Sequence, residues 1–490
     1  MSENTIISLR KKGGNLHSSL QRELYSNLTG LKREPGIEKI FKPEREFCDP
    51  GLFKSINETP ASEEEKTGVM LMSQFLADFF INCGAAHLTD RILAFETTKE
   101  LRIGKKRIPY RSAQTKTLNE HRKQKRDEIE RHRTEALEEL NPYLGEKLYL
   151  TGGASETLGS ASYAALKEHI EGDSIRALSE EAELFIRDTE YIAKEMLEWF
   201  FMRRMGFPLE DAAYYDAAFM FNSFELGGAF KKGGYTRSAA RMLDDSGLTN
   251  SADVNVESAK RAGKAPGGLF FPIAPPLEMA VSIFPAGGPA DYESYLGALG
   301  SALSYAFTEG DDDFEYRCLR DRAQTEIYSE LFTNLIYERS WLKRYLGIDE
   351  DVDFYKFLFL RRLMKAREDA GRLIYGQRLY GGGDVNSLPD TYKEIMEEAL
   401  QCEVNERDFL NMGKPLKSYS RFKARLIEPG LRNYLRENYD EEWWRLPEAG
   451  GYLRSIWSKG GRYTSRGIAE SAGYGGSAAE LKETFERELG

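Results

Sequence analysis

The residue best suited to acid–base and metal chemistry is almost absent from this 490-residue chain. It has only five histidines, and none occurs after His169. Histidine is the usual proton carrier of enzymes and the commonest metal ligand. Any catalytic chemistry in the C-terminal two-thirds would therefore have to use carboxylates, phenols or guanidinium groups.

Other chemistry-bearing patterns are weak. The acidic run from Glu309 to Glu315 could bind a hard cation through oxygen atoms, but it lacks the alternating spacing of an EF-hand loop. We interpret it as a solvated turn. Paired glycines occur at Gly152-Gly153 and Gly233-Gly234, without the flanking residues of a phosphate-binding loop. We interpret these as turns as well.

Composition excludes several classes of function. The 79 acidic side chains outnumber the 68 basic ones, and the net charge of −11 disfavours binding to nucleic acid or to an anionic membrane. The cysteines Cys48, Cys83, Cys318 and Cys402 form no CxxC pair, which favours a reducing cytoplasm over a disulfide framework or a zinc knuckle. The polar N-terminus and the absence of a long apolar run predict neither a signal peptide nor a membrane span.

Helices must position any site, because apolar residues recur at helical spacing along most of the chain. Strands are predicted only for a hairpin at 101–110 and a small sheet within 270–284. Turn signals at Gly13-Gly14, Pro35-Gly36 and Pro50-Gly51 predict irregular structure and short helices before residue 60. The charged helix from Leu118 to Leu140 is interpreted as a solvated face, with a partner-binding patch as the alternative.

The segment from Lys264 to Leu335 carries a recognisable order of motifs. An apolar strand is followed by PAGGPADY at 285–292, a helix, YAFT at 305–308, EYR at 315–317 and TEIYSELF at 325–332. This order resembles the thimet oligopeptidase and oligoendopeptidase F class of zinc peptidases. The pattern from Asn438 to Gly460 resembles the C-terminal helical region of the same class, and the resemblance covers about residues 65–480.

The resemblance implies that the zinc motif has been lost. In active members, the helix after the Asp-Tyr pair carries HExxH, in which two histidines hold zinc and the glutamate activates water. The histidine positions fall here on Gly297 and Ser301, and the glutamate position falls on Ala298. The third ligand falls on Glu326, which alone cannot hold catalytic zinc because such a site needs about three protein ligands. We therefore predict no catalytic residue at these positions, no metal and no other cofactor.

Small residues along 297–304 leave two interpretations open. Either a second helix approaches closely, or the missing side chains leave a cavity for water or a small ligand. If the cleft keeps the geometry of active relatives, the triple change Gly297→His, Ala298→Glu and Ser301→His would restore zinc binding, with Glu326 as the third ligand.

These observations predict a mainly α, oligopeptidase-like, two-lobed helical fold with a central cleft and a small β-sheet beside the former active-site helix. The predicted organisation is a loop-rich N-terminal segment (1–60), an N-terminal helical lobe (61–260) and a degenerate peptidase-like region (261–490). The predicted function is that of a catalytically inactive, cytoplasmic pseudopeptidase that is a binding or structural subunit of a protein assembly. Its partner would be a protein or a peptide-like segment, with a small ligand in the cleft as a further option.

Two alternatives stay open. The first is an enzyme with metal-independent chemistry in the retained cleft, using Glu326, Tyr305, Arg317 or Tyr328 to transfer protons or to stabilise charge. The second is a peptidase whose activity depends on an active paralogous partner. Glu326 itself is either a relic held by hydrogen bonds or part of a repurposed polar site.

Overall fold

The fold is mainly helical, as predicted. The computed structural model describes residues 3–222, 224–249, 254–382, 385–413, 416–473 and 476–489. The helices of the first half are α1 (Glu3–Leu28), α2 (Ile37–Phe41), α3 (Pro50–Asn57), α4 (Glu63–Gly84), α5 (Ala86–Thr98), α6 (Ala113–Thr117), α7 (Lys123–Thr157), α8 (Tyr163–Glu171), α9 (Ile175–Asp188), α10 (Glu190–Phe200), α11 (Tyr214–Asn222), α12 (Phe224–Ala229) and α13 (Gly234–Asp245).

The second half continues this pattern, with short 3₁₀ and π turns between helices. Its helices are α14 (Pro289–Ala306), α15 (Phe314–Cys318), α16 (Arg322–Thr333), α17 (Arg339–Trp341), α18 (Val352–Tyr380), α19 (Leu388–Leu400), α20 (Lys417–Asn438), α21 (Pro447–Trp457), α22 (Ser465–Ser471) and α23 (Ala478–Leu489).

The strands form two small sheets, and both predicted strand regions are confirmed. Strands β1 (Glu100–Ile103) and β2 (Lys106–Pro109) make the hairpin. Strands β4 (Gly267–Ala274) and β5 (Glu278–Phe284) pair antiparallel. Sequence reasoning missed β3 (Val254–Glu257), which pairs parallel with β5. This strand has only four residues and no buried side chain, so it has no clear hydrophobic pattern.

The three-stranded sheet supports α14, the helix on which the candidate site lies. Leu24 and Tyr25 of α1 pack against Phe271 and Ile273 of β4, while α14 packs against both β4 and β5. Every residue of α14 from Tyr295 to Ala306 is buried. The predicted placement of a small sheet beside this helix is therefore confirmed.

The N-terminal segment is not loop-rich, contrary to expectation. Residues 3–28 form the single helix α1, and Gly13-Gly14 lies inside it rather than at a turn. A Cβ placed on Gly13 would lie 2.9 Å from Cε1 of Phe314. Glycine is thus used here for close packing, a tertiary contact that the local turn signal does not reveal.

A buried ion-pair network fixes the N-terminal part of α14. Glu293 accepts hydrogen bonds from Arg361 Nε at 2.9 Å and from Arg361 Nη2 at 2.6 Å. Lys365 and Tyr337 also donate to this carboxylate. Because Arg361 and Lys365 both lie on α18, the network ties α14 to that long helix.

No single helix in the described residues is long and apolar enough to cross a membrane. The segments 65–84 and Ala86–Thr98 meet the length and composition criteria only as a pair, and they are bent by 73° relative to each other.

We predict that Gly268→Ala destabilises the protein by about 1–3 kcal/mol, the usual cost of overpacking. A Cβ at this position in β4 would lie 2.1 Å from the carbonyl oxygen of Ser294 on α14, so backbone would have to move. Gly152→Ala is the matched control, because a Cβ there meets nothing within 4 Å and alanine is favoured inside α7. Urea-unfolding midpoints that are equal for the two variants would contradict the prediction.

Candidate functional site

The candidate site is the contact between α14 and α16. A Cβ on Gly297 would lie 2.6 Å from Thr333 Oγ1 and 2.8 Å from Ser329 Oγ. A Cβ on Gly300 would lie only 2.3 Å from the carbonyl oxygen of Tyr328. The backbone contact at position 300 therefore requires glycine, whereas a side chain at position 297 would require the hydroxyls of Ser329 and Thr333 to rotate away or the helices to separate. Of the two interpretations of the small-residue face, close approach of a second helix is the one confirmed.

The hydroxyl groups of the two serines in this part of α14 form hydrogen bonds within their own helix. Ser301 Oγ donates to the carbonyl of Gly297 at 3.1 Å, and Ser304 Oγ donates to the carbonyl of Ser301 at 2.8 Å. Ala298 is 7% exposed. These residues thus pack and satisfy their own hydrogen bonds, and neither serine is oriented as a nucleophile with an adjacent base.

Glu326 lies on α16 but interacts with α20. Its side chain is 22% exposed and forms long ion pairs with Lys417 Nζ at 3.9 Å and Arg421 Nε at 3.8 Å. One turn further along α16, Glu330 accepts from Arg425 Nη1 at 3.0 Å. Acids spaced by four residues on α16 therefore face bases spaced by four residues on α20.

Asp369 of α18 also pairs with these bases. We call Glu326, Glu330, Asp369, Lys417, Arg421 and Arg425 the acid–base row. Arg425 reaches Asp369 Oδ2 through Nε at 2.9 Å and Nη2 at 2.8 Å, while Arg421 Nη1 lies 3.7 Å from Oδ1. Sequence reasoning missed the α20 arginines. The complementary spacing of Glu326 and Glu330 with Lys417, Arg421 and Arg425 was the available signal.

Burial and ion pairing together set the protonation states of the carboxyl groups in the acid–base row. Burial by itself would raise the pKa of Asp369, but Arg425 and Arg421 outweigh burial and hold that pKa below its usual range. Burial raises the pKa of Glu330, with Arg425 only partly opposing it. Asp369 is thus the stably charged partner of Arg425, and Glu330 is the acid more easily protonated.

The other predicted cleft residues are not brought to Glu326. Tyr328 is fully buried, and burial raises its pKa well above the ordinary value. Tyr305 is buried under the Arg320 guanidinium, whose carbon lies 4.2 Å from the ring centroid. Arg317 donates instead to the carbonyl of Gly310 at 3.0 Å. Arg320, which the sequence reasoning did not single out, is therefore the cation beside these phenols.

The residues at this site do not fit a zinc ion. Gly297 and Ala298 have no side-chain atom that could bind a metal. Ser301 Oγ donates to the carbonyl of Gly297, and the Glu326 carboxylate faces the cations of α20. In the part of the chain that the structure describes, no group of three His, Cys, Asp or Glu side chains is placed to hold a metal ion. Two cavities in the described residues, one beside Phe332 and Trp443 and one beside Arg372 and Tyr419, each have a volume of about 10 Å³, the space of about one water molecule.

Comparison with solved structures identifies the class of fold. A structure described as an oligoendopeptidase F from Bacillus anthracis strain Ames superposes with a TM-score of 0.64 at 14% identity, covering 89% of this chain and 81% of that one. PZ peptidase A with an inhibitor gives 0.66 at 15% identity, over 91% and 85% of the two chains.

A second group of peptidases has the same architecture. The M32 carboxypeptidase from Deinococcus radiodurans R1 gives a TM-score of 0.63 at 13% identity and covers 99% of both chains. The sequence itself matches no protein-family profile and no curated protein. These likenesses establish the oligopeptidase-like helical fold, and the peptidase-like class predicted from the motifs is confirmed at that level.

We predict that Glu293→Gln destabilises the protein by roughly 3–5 kcal/mol, because it leaves Arg361 and Lys365 without their carboxylate in a buried place. The matched change Glu326→Gln removes only two long, partly solvated ion pairs and should cost less than about 1 kcal/mol. Urea unfolding of both variants measures this difference. Equal losses would show that the Glu326 carboxylate is as important to the fold as the buried Glu293 carboxylate.

The contribution of the Glu293 carboxylate to the stability of the folded protein should also depend on pH. Burial would raise its pKa, but Arg361 and Lys365 outweigh burial and lower it. The stabilisation is therefore complete above the pKa of the unfolded carboxyl, about 4.3, and is lost as the pH falls below that value. The stability gap between the wild type and Glu293→Gln should narrow on acidification; a gap that widens below about pH 4 would contradict the assignment.

Proposed function

We propose that this chain is a catalytically inactive relative of the zinc oligopeptidases, a pseudopeptidase that is a binding or structural subunit of a protein assembly. The observation that carries the proposal is the direct contact of α14 with α16 at Gly297 and Gly300. The Cβ of a histidine at position 297 would lie 2.6 Å from Thr333 Oγ1 and 2.8 Å from Ser329 Oγ, so these side chains or the helices would have to move. The proposal includes a cytoplasmic location, which is supported by the four dispersed cysteines.

Metal-independent catalysis is less well supported by the same geometry. A catalytic phenol needs contact with substrate and a pKa near the working pH. Tyr328 is fully buried, and burial raises the pKa of Tyr305 above its ordinary value. Neither group is suited to proton transfer in this conformation.

A partner could bind where the acid–base row reaches the surface. The side chains of Lys417 and Arg421 are 41% and 44% exposed, and their ion pairs with Glu326 are 3.9 and 3.8 Å long. Such solvated pairs contribute little to stability, and because both side chains are partly exposed, an incoming carboxylate can pair with them in addition to their contacts within the chain. A protein segment with acidic side chains is therefore the proposed ligand of this surface.

We predict that the purified chain, incubated with zinc and then desalted, retains no stoichiometric zinc and does not cleave fluorogenic oligopeptides. Gly297, Ala298 and Ser301 supply neither imidazole nor a general base. Elemental analysis and a peptidase assay measure this, with an active oligoendopeptidase as the positive control. About one tightly held zinc per chain together with chelator-sensitive cleavage would overturn the proposal, and cleavage insensitive to chelators would favour the metal-independent alternative.

We predict further that the triple change Gly297→His, Ala298→Glu and Ser301→His does not restore zinc binding. This reverses the expectation from ligand spacing alone, because the new side chain at 297 collides with Ser329 and Thr333. The variant should unfold at a lower urea concentration than the wild type. Variants that also carry Ser329→Ala and Thr333→Ala test whether space is limiting. Tight zinc binding by the original triple variant would show that the two helices separate easily.

The binding half of the proposal needs a separate experiment. We expect a protein captured by the native chain from its own cell extract to be lost with the double variant Lys417→Glu and Arg421→Glu. The control is Arg176→Glu with Lys343→Glu, which reverses two exposed cations elsewhere on the surface. Equal capture by both double variants would exclude the α20 surface as the binding site.

A further inference from the structure

Two of the four free cysteines meet in the folded chain. The thiol of Cys48 lies within hydrogen-bonding distance of the thiol of Cys83, although α3 and most of α4 separate them in sequence. Both cysteines are partly exposed, whereas Cys318 and Cys402 are buried. The fold thus creates a dithiol that the spacing of the cysteines along the chain did not predict.

Aromatic packing holds this pair in place. Cys48 is the last residue of a 3₁₀ segment, Lys42–Cys48, and Cys83 lies in the last turn of α4. Phe47 is 1% exposed and packs on Phe79, one helical turn before Cys83, with the ring centroids 5.3 Å apart. The segment cannot slide along α4 without breaking this contact, so the two sulfur atoms stay close together.

The surroundings of the two thiols suit the formation of a disulfide. Such a bond requires sulfur atoms that can reach each other without movement of the backbone, and the contact between these thiols brings them close. Their partial exposure gives a small oxidant access to them. Burial, with a smaller contribution from Cys83, raises the pKa of the Cys48 thiol to about 12. Cys48 therefore keeps its proton, and Cys83 is the sulfur expected to react first.

We propose that Cys48 and Cys83 are a site of reversible oxidation, at which a low-molecular-weight disulfide converts the two thiols into an intramolecular disulfide. The Cys83 thiolate attacks one sulfur of the small disulfide and expels a small thiolate. The Cys48 sulfur then attacks Cys83 in the mixed disulfide, and the second small thiolate leaves. The two leaving thiolates take up the protons lost from the cysteines, so the chain loses two electrons and the small disulfide is reduced to two thiols.

The new bond would join the 3₁₀ segment to the last turn of α4 and close the chain between them, with α3, into a loop. In a reducing compartment the pair stays as two thiols, so the cross-link would form only under oxidising conditions. Neither cysteine belongs to the contact between α14 and α16 or to the acid–base row. The inference therefore does not rest on the proposed function.

Thiol counting in mixtures of reduced and oxidised glutathione tests the proposal. As oxidised glutathione increases, the full chain should lose two of its four thiols, and peptide mapping should find Cys48 linked to Cys83. Dithiothreitol should restore all four thiols. Cys48→Ser should instead retain glutathione on Cys83, because no second sulfur displaces it. The matched control, Cys318→Ser with Cys402→Ser, should form the disulfide like the wild type. Four free thiols in excess oxidised glutathione, or a disulfide between other cysteines, would overturn the proposal.

Phenylarsine oxide tests the closeness of the thiols without requiring the geometry of a disulfide. Its trivalent arsenic bridges two neighbouring sulfur atoms, so it should bind Cys83→Ser about a hundredfold more weakly than the wild type, the usual advantage of two linked contacts over one. Equal binding to both would show that the thiols do not meet and would overturn the proposal. Tight binding to the wild type without any disulfide in the glutathione mixtures would also overturn it, because the thiols would then be close but not oxidised.

Discussion

The closeness of α14 and α16 is the constraint on which the rest of this site depends. Gly297 and Gly300 let the backbones approach until the carbonyl of Tyr328 occupies the place of a side chain. Two interior glycines weaken α14 by roughly 1 kcal/mol each relative to alanine, so the helix depends on its neighbours. The sheet on one side, α16 on another and the Glu293 network to α18 provide this support.

Charge balance is the second organising principle. The interior contains several ionised side chains, and each needs a partner because burial of an unpaired charge is costly. Arg361 with Glu293, and Arg425 with Asp369 and Glu330, meet this need across helices distant in sequence. In this fold, cations of α20 neutralise the Glu326 carboxylate that the family resemblance assigns to a metal. The oligopeptidase-like helical fold of this chain therefore has ion pairs around Glu326.

The polar side chains near α14 and α16 differ in their exposure to solvent. The buried phenols Tyr305 and Tyr328 serve packing, with Tyr328 against the ring of Trp457 at 5.7 Å. The cations Lys417 and Arg421 beside Glu326, in contrast, are 41% and 44% exposed. The proposed acidic segment would contact the chain at these two side chains.

The sequence by itself determined the helical class, the hairpin, the strands at 270–284 and the motif order that resembles the oligopeptidases, since periodicity and local motifs are properties of neighbouring residues. It could not decide whether the small residues of α14 line a cavity or a contact, because that depends on the distance to α16. It also misjudged α1, where Gly13 fits Phe314 three hundred residues away. Sequence reasoning also did not single out Arg320, whose guanidinium lies over the Tyr305 ring, because that contact is tertiary. Side-chain partners that are remote in sequence are chosen by packing and charge neutralisation in three dimensions, and only the tertiary structure decides them.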